Sequence, residues 1–266
     1  MDINAILEAI DGAVWGVPLI VLIIACGVWL TFRVRFLQVR HLGKALKFMV
    51  KNEEGGEGEV TSFGALCTAL SATIGTGNIV GVASAIAAGG PGALFWMLVA
   101  AFFGMATKYS EGLLAIKYRE VDADGHVLGG PFYYIEKGMG KNWKWMGKLF
   151  ALFGVLAGAL GIGTITQING ITSAAQNFFD PDKAYVVFTL AAGTTSETPI
   201  TMTTIVVGLI VTVCAGLVII GGIKRIAKVS EIVVPFMAVA YVLFAVILLL
   251  TNLSAVPHAI YQIVYG

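Results

Sequence analysis

Residues Leu70-Ser71-Ala72-Thr73-Ile74-Gly75-Thr76-Gly77-Asn78-Ile79-Val80-Gly81 carry three glycines, hydroxyl and amide side chains and no charge in the middle of an otherwise apolar segment. A helix crossing a bilayer keeps its backbone bonds within itself, because lipid offers nothing to an unwound N–H or C=O. Glycines 75 and 77 beside Asn78 therefore predict an interruption that only protein or a solvated cavity can enclose. Such a break is how a substrate site can be built inside a membrane.

The composition agrees with that setting. Of 266 residues, 58% are hydrophobic and only 12% charged, which places the chain in the membrane class and leaves no room for a soluble domain. The net charge of +1 and the lack of a basic stripe interleaved with aromatics argue against nucleic acid. Cys26, Cys67 and Cys214 lie in apolar segments without metal-ligand spacing and read as small core residues. Gly75, Gly77 and Gly81 approach a dinucleotide fingerprint, but the spacing is GxGxxxG and no strand precedes it. Hydrolytic chemistry finds no support either: His41, His126 and His258 fall in loops or the tail, with no nucleophile at recognisable spacing.

Apolar runs and cations thread the chain. Residues 1–12 pattern as an amphipathic helix on the membrane surface, and six spans are expected, A (13–32), B (61–89), C (93–118), D (149–178), E (200–221) and F (232–250), in a transmembrane domain of residues 13–251. Residues 252–266 form an outer tail. With the N-terminus outside, every Lys and Arg except Lys183 falls on or near the cytoplasmic side, as the positive-inside rule asks. The fold expected is an all-α membrane protein.

Segments B and D concentrate glycine, hydroxyl and amide groups at mid-depth, as two walls of one cavity would. Close helix packing accounts for Gly81, Gly158 and Gly161, but it does not account for Asn78 beside Gly75, Thr76 and Gly77. A broken helix presents N–H groups and a positive dipole end near Thr76, suited to a carboxylate. It presents free carbonyls near Ile74, suited to Na⁺ or an ammonium. Gln167, an amide in the middle of segment D, is expected to bind rather than only to join helices. Glu111 lies three residues from Lys108 on one helix face and is read as an ion pair rather than a proton relay, and Glu231, near Lys224 and Lys228, is read the same way.

Four motifs in order carry a family resemblance: Ser71 through Gly81, Gly89-Gly90-Pro91-Gly92-Ala93-Leu94-Phe95-Trp96-Met97, Lys108-Tyr109-Ser110-Glu111, and Gly129-Gly130-Pro131-Phe132-Tyr133-Tyr134-Ile135. Through them the chain resembles the alanine/glycine:cation symporter family of prokaryotes, within the amino acid–polyamine–cation superfamily. The resemblance implies a fold of five plus five inverted helices, with segment A an extra helix, segments B to F the first repeat, and the second repeat absent from this chain. It implies plasma-membrane symport of alanine or glycine with Na⁺ as the coupling ion and no organic cofactor. A channel or a non-transporting scaffold is the alternative. It further implies that Thr76 and Gly77 amides receive the substrate carboxylate beside Asn78, that the Ser71 and Ile74 carbonyls form half of a sodium site, and that Gln167 walls the pocket, which the second repeat would complete.

Overall fold

The computed structural model describes residues 3–50, 60–161, 163–190 and 198–265. Helix α1 (Ile3–Val14) is followed by α2 (Val17–Arg33), where Pro18 in the first turn sets a helical φ at a position that needs no N–H. Short helices α3 (Leu37–Arg40) and α4 (Leu42–Val50) follow. Next come α5 (Ser62–Thr73) and α6 (Val80–Gly89), separated by a 3-10 turn at Thr76–Asn78. Gly90, at φ +79°, and Pro91 turn the chain into α7 (Gly92–Lys117), 26 residues or about 39 Å long. A two-stranded hairpin, β1 (Glu120–Val121) with β2 (Val127–Leu128), precedes α8 (Pro131–Gly138), α9 (Lys144–Ala159) and α10 (Thr164–Phe179). A second hairpin pairs β3 (Val186–Leu190) with β4 (Thr198–Thr201), and α11 (Met202–Ile219), α12 (Gly222–Thr251) and α13 (Val256–Tyr265) complete the order.

This is an all-α membrane protein in which five helical runs are long and apolar enough to cross a bilayer: 5–33, 92–117, 141–179, 202–219 and 222–251. Their large apolar side chains are exposed, Phe178 at 80% and Phe236 at 76%, which in water would be untenable on every face at once. The expected span B is instead two short apolar helices on either side of the predicted interruption. Segment D departs from expectation as well. Its helix stops at Ala159 and restarts at Thr164, because Gly161 and Gly163 take φ +67° and +86°, which a continuing right-handed helix cannot use. Segment F begins ten residues before its apolar run, since Gly222 (φ +67°) starts α12 and carries Lys224, Arg225 and Lys228 inside the helix.

The described chain forms two compact units. The first comprises residues 1–52, 85–151 and 254–266. Its main seam joins α2 to α7. Gly27 makes this possible, because a Cβ there would stand 3.1 Å from both the Cβ and the carbonyl oxygen of Phe103. One turn on, Thr31 is fully buried, its hydroxyl donating to the Gly27 carbonyl at 2.8 Å and accepting from Gln38 Nε2 at 3.1 Å. Helices α8 and α13 both pack on α7. The expected Lys108–Glu111 ion pair forms on α7 at 3.0 Å, and Lys137 of α8 pairs with Glu120. Burial and the Glu111 carboxylate push the Tyr134 phenol above its ordinary value, partly offset by Lys108.

The second unit comprises residues 53–84 and 152–253, and its principal seam joins α5 to α12. Gly64 and Cys67 on α5, and Ala227, Ser230 and Val234 on α12, are buried at helical spacing, and Ser230 donates to the Ser71 hydroxyl at 3.3 Å. Glu231 does not take the lysine partner expected for it. Its Oε1 accepts from Thr61 Oγ1 at 2.8 Å, while the same Thr61 oxygen caps α5 by accepting from Gly64 N at 2.9 Å. The carboxylate is thus drawn to the positive end of a neighbouring helix. Pro235 lies inside α12 and supplies no N–H to the Glu231 carbonyl one turn back.

Gly27→Val should cost about 1–3 kcal/mol by driving α2 from α7, seen as a lowered melting temperature in detergent. Gly43→Ala, whose added methyl meets nothing within 4 Å, should leave stability within about 0.5 kcal/mol.

Candidate functional site

The site is built from the end of α5 outward, all within the second unit. Helix α5 closes with Ile74 N donating to Leu70 O at 2.8 Å, after which Ile74 (ψ 111°) and Gly75 (φ −138°, ψ −168°) run extended. Had the helix continued, the amides of Gly75, Thr76 and Asn78 would have served the carbonyls of Ser71, Ala72 and Ile74. Each donor is diverted. Gly75 N goes to Asn78 Oδ1 at 3.1 Å, Thr76 N to Gln167 Oε1 at 2.7 Å, and Asn78 N to Gly75 O at 3.0 Å. The Ser71, Ala72 and Ile74 carbonyls therefore lose their intrahelical donors at the negative end of a helix. Oxygens of that kind are what a small hard cation or an ammonium group requires.

Hydroxyls in α5 spend their protons on their own helix, Thr68 on Gly64 O, Ser71 on Thr68 O and Thr73 on Ala69 O, each at 2.7 Å, so they add no donors at the break. Asn78, beside the glycines, serves as the turn's own staple.

Gln167 stands in the first turn of α10, four residues after Gly163, whose carbonyl accepts the Gln167 N–H at 3.1 Å. The second helix break thus sets the residue that reaches the first. Two glycines admit the contact. A Cβ on Gly75 would run into Gln167 Nε2 and lie 2.8 Å from Oε1, and a Cβ on Gly170 would lie 2.6 Å from Thr76 Cγ2 and 3.1 Å from Thr76 Cβ. Gln167 and Gly170 are three apart on one face of α10, the amide holding Thr76 by its N–H and the bare glycine receiving its methyl. Sequence reading missed Gly170, although its spacing from Gln167 was the available signal.

Because Oε1 takes the Thr76 amide, Gln167 keeps Nε2 as a donor with no partner among the described residues. Gly77 and Asn78 are exposed, and a Cβ on Gly77 meets nothing within 4 Å. The structure therefore brings Gly75, Thr76, Asn78 and Gln167 together, sets Gly77 on the open side of the turn, and puts Ser71 and Ile74 at the carbonyl end of α5. Gly81 and Gly158, expected to pack, also face open space on this chain. A cavity of about 540 Å³ lies elsewhere, between Phe179, Tyr185, Met202, Thr203, Val206 and Val207. Its apolar walls have little with which to hold a charged ligand.

The chain is similar to known transporters. The profile described as the sodium:alanine symporter family matches residues 1–266. An uncharacterized transporter of Haemophilus influenzae is 50% identical over 99% of this chain and 53% of its own length. The sodium/alanine symporter AgcS of Methanococcus maripaludis is 43% identical over 97% of this chain and 53% of its own. The probable sodium/glutamine symporter GlnT of Bacillus subtilis is 36% identical over 97% and 50%. The chain spans about half the length of the curated relatives it matches.

Gly170→Ala should destabilise the protein by about 1–3 kcal/mol through overpacking against Thr76. Adding Thr76→Ser, which deletes Cγ2, should return most of that loss in thermal unfolding. An additive double variant would mean that the two residues do not meet.

Proposed function

The chain belongs to the sodium:alanine symporter family, and on that premise we propose that it carries the substrate carboxylate site and half of the sodium site of a Na⁺-coupled carrier for a small neutral amino acid, alanine or glycine. The observation that carries the proposal is the break at Gly75–Asn78. Its three diverted amides expose carbonyl oxygens on one side, while Gln167 Nε2 and the Gly77 backbone stand ready as donors on the other. A zwitterion needs both.

The carboxylate is received by the Gly77 amide and Gln167 Nε2. This refines the sequence expectation, since the Thr76 N–H is already engaged by Gln167. Thr76 is then an anchor that fixes where the Gln167 amide points. Na⁺ rests on the Ser71 and Ile74 carbonyls. The further ligands would come from a second, inverted five-helix repeat, with segment B as the broken first helix of its repeat and the N-terminus outside. Transport proceeds by one helix group rocking about the midplane site. Relatives described for alanine and for glutamine share the family, so side-chain volume in the remaining wall sets the substrate. Sodium is favoured over the proton as driving ion, because the break offers uncharged oxygens and Glu111 is committed to Lys108.

In proteoliposomes of the full-length protein, labelled alanine should exchange saturably and only with Na⁺. Linear flux would indicate a channel, and no flux a scaffold. Gln167→Ala should weaken alanine binding by more than about tenfold, since a carboxylate left without its partner costs well over 1 kcal/mol. Gln167→Glu, which can still accept from Thr76 N but repels the ligand, should weaken it further. Unchanged calorimetric affinity in both variants would remove Gln167 from the site. Uptake that follows a pH gradient without Na⁺, and is lost in Glu111→Gln, would assign coupling to the proton.

A further inference from the structure

The segment after α2 has a feature that the transport site does not use. Between residues 12 and 52 there is no Asp or Glu, yet Arg33, Arg35, Arg40, Lys44 and Lys47 are all present. The chain leaves α2 by a built turn: Arg35 and Phe36 take φ +55° and +54°, and Phe36 N donates to the carbonyl of buried Thr31 at 2.9 Å. Gln38, just beyond, bonds the Thr31 hydroxyl, and α3 packs on α7. Helix α4 behaves differently. Every residue from Leu42 to Met49 is exposed, including Leu46 at 55% and Leu42 at 54%.

That exposure is ordered by the helical period. Leu42, Ala45, Leu46 and Met49, at steps of three, one and three, share one face, and Lys44 and Lys47 lie opposite. The cations have no acidic partner among the described residues. An apolar face backed by lysines, a few residues beyond the end of a membrane-crossing helix, has the form of a helix lying in the interface plane. From Arg33 to Lys47 the charge is of one sign, so the surface complementary to that stretch is anionic.

We propose that α4 is a membrane-surface helix that binds anionic phospholipid headgroups, with Leu42, Leu46 and Met49 seated in the acyl boundary and Lys44 and Lys47, together with Arg33, Arg35 and Arg40, reaching the headgroups. The proposal is independent of which amino acid the protein carries.

The test is hydrogen–deuterium exchange of the full-length protein in nanodiscs, comparing phosphatidylcholine alone with phosphatidylcholine containing phosphatidylglycerol. Each cation near an anionic surface favours the bound state by roughly fivefold. The amides of residues 42–49 should therefore exchange at least about tenfold more slowly with phosphatidylglycerol, and Lys44→Gln/Lys47→Gln should return them to the phosphatidylcholine rate. Leu46→Gln should weaken the protection in both lipids. Equal exchange in the two lipids overturns the proposal, whether α4 is fast in both, as a free helix, or slow in both, as one docked on protein. Residues 95–115 of α7 serve as the internal control and should not respond to the lipid.

Discussion

The hydrogen bond from the Thr76 amide to Gln167 Oε1, 2.7 Å long, is the contact on which the arrangement of the site depends. An unwound segment at membrane depth must find partners for its backbone groups or pay several kcal/mol for each. Here one donor is satisfied by a side chain from another helix and one by Asn78 of the same turn. The carbonyls that those donors abandon lose their intrahelical partners. On the proposed reading, stability and function are two consequences of one redistribution of hydrogen bonds.

That redistribution needs small residues at defined points. Gly75 leaves room for the Gln167 amide and Gly170 for the Thr76 methyl, so a Cβ at either would separate the two segments. Gly161 and Gly163 act through conformation instead, taking the positive φ that ends α9 and starts α10 just ahead of Gln167. Gly77 does neither. Its neighbourhood is open on this chain, which suits a position where a ligand approaches backbone.

The supporting frame is a seam of small residues. Gly64, Cys67 and Ser71 on α5 meet α12 along Ala227, Ser230 and Glu231. In lipid, where apolar surface gains nothing by turning inward, close approach and interhelical hydrogen bonds must hold helices together. Glu231 shows how this works: its carboxylate reaches the capped N-terminus of α5 through Thr61. Sequence reading placed it with lysines on its own helix because those neighbours are visible at short range, whereas Thr61 is 170 residues away.

Some features were written in the chain itself. Apolar runs of bilayer length force helices, because backbone groups have no other partner in lipid. Glycine, threonine and asparagine at 75–78 force a break, because they favour turns and cannot be explained by packing alone. The Lys108–Glu111 pair follows from helical spacing. Other features depended on which helices become neighbours. The break in segment D could be read as polarity but not as two helices, since glycines also pack within a continuous one. That Gln167 occupies the Thr76 amide, that Gly170 accepts the Thr76 methyl, and that Glu231 accepts from Thr61, the cap of α5, are contacts between residues 91, 94 and 170 positions apart. Local propensity is blind at such separations. Only the tertiary structure, by choosing which faces meet, decides which hydrogen bonds remain open to a ligand.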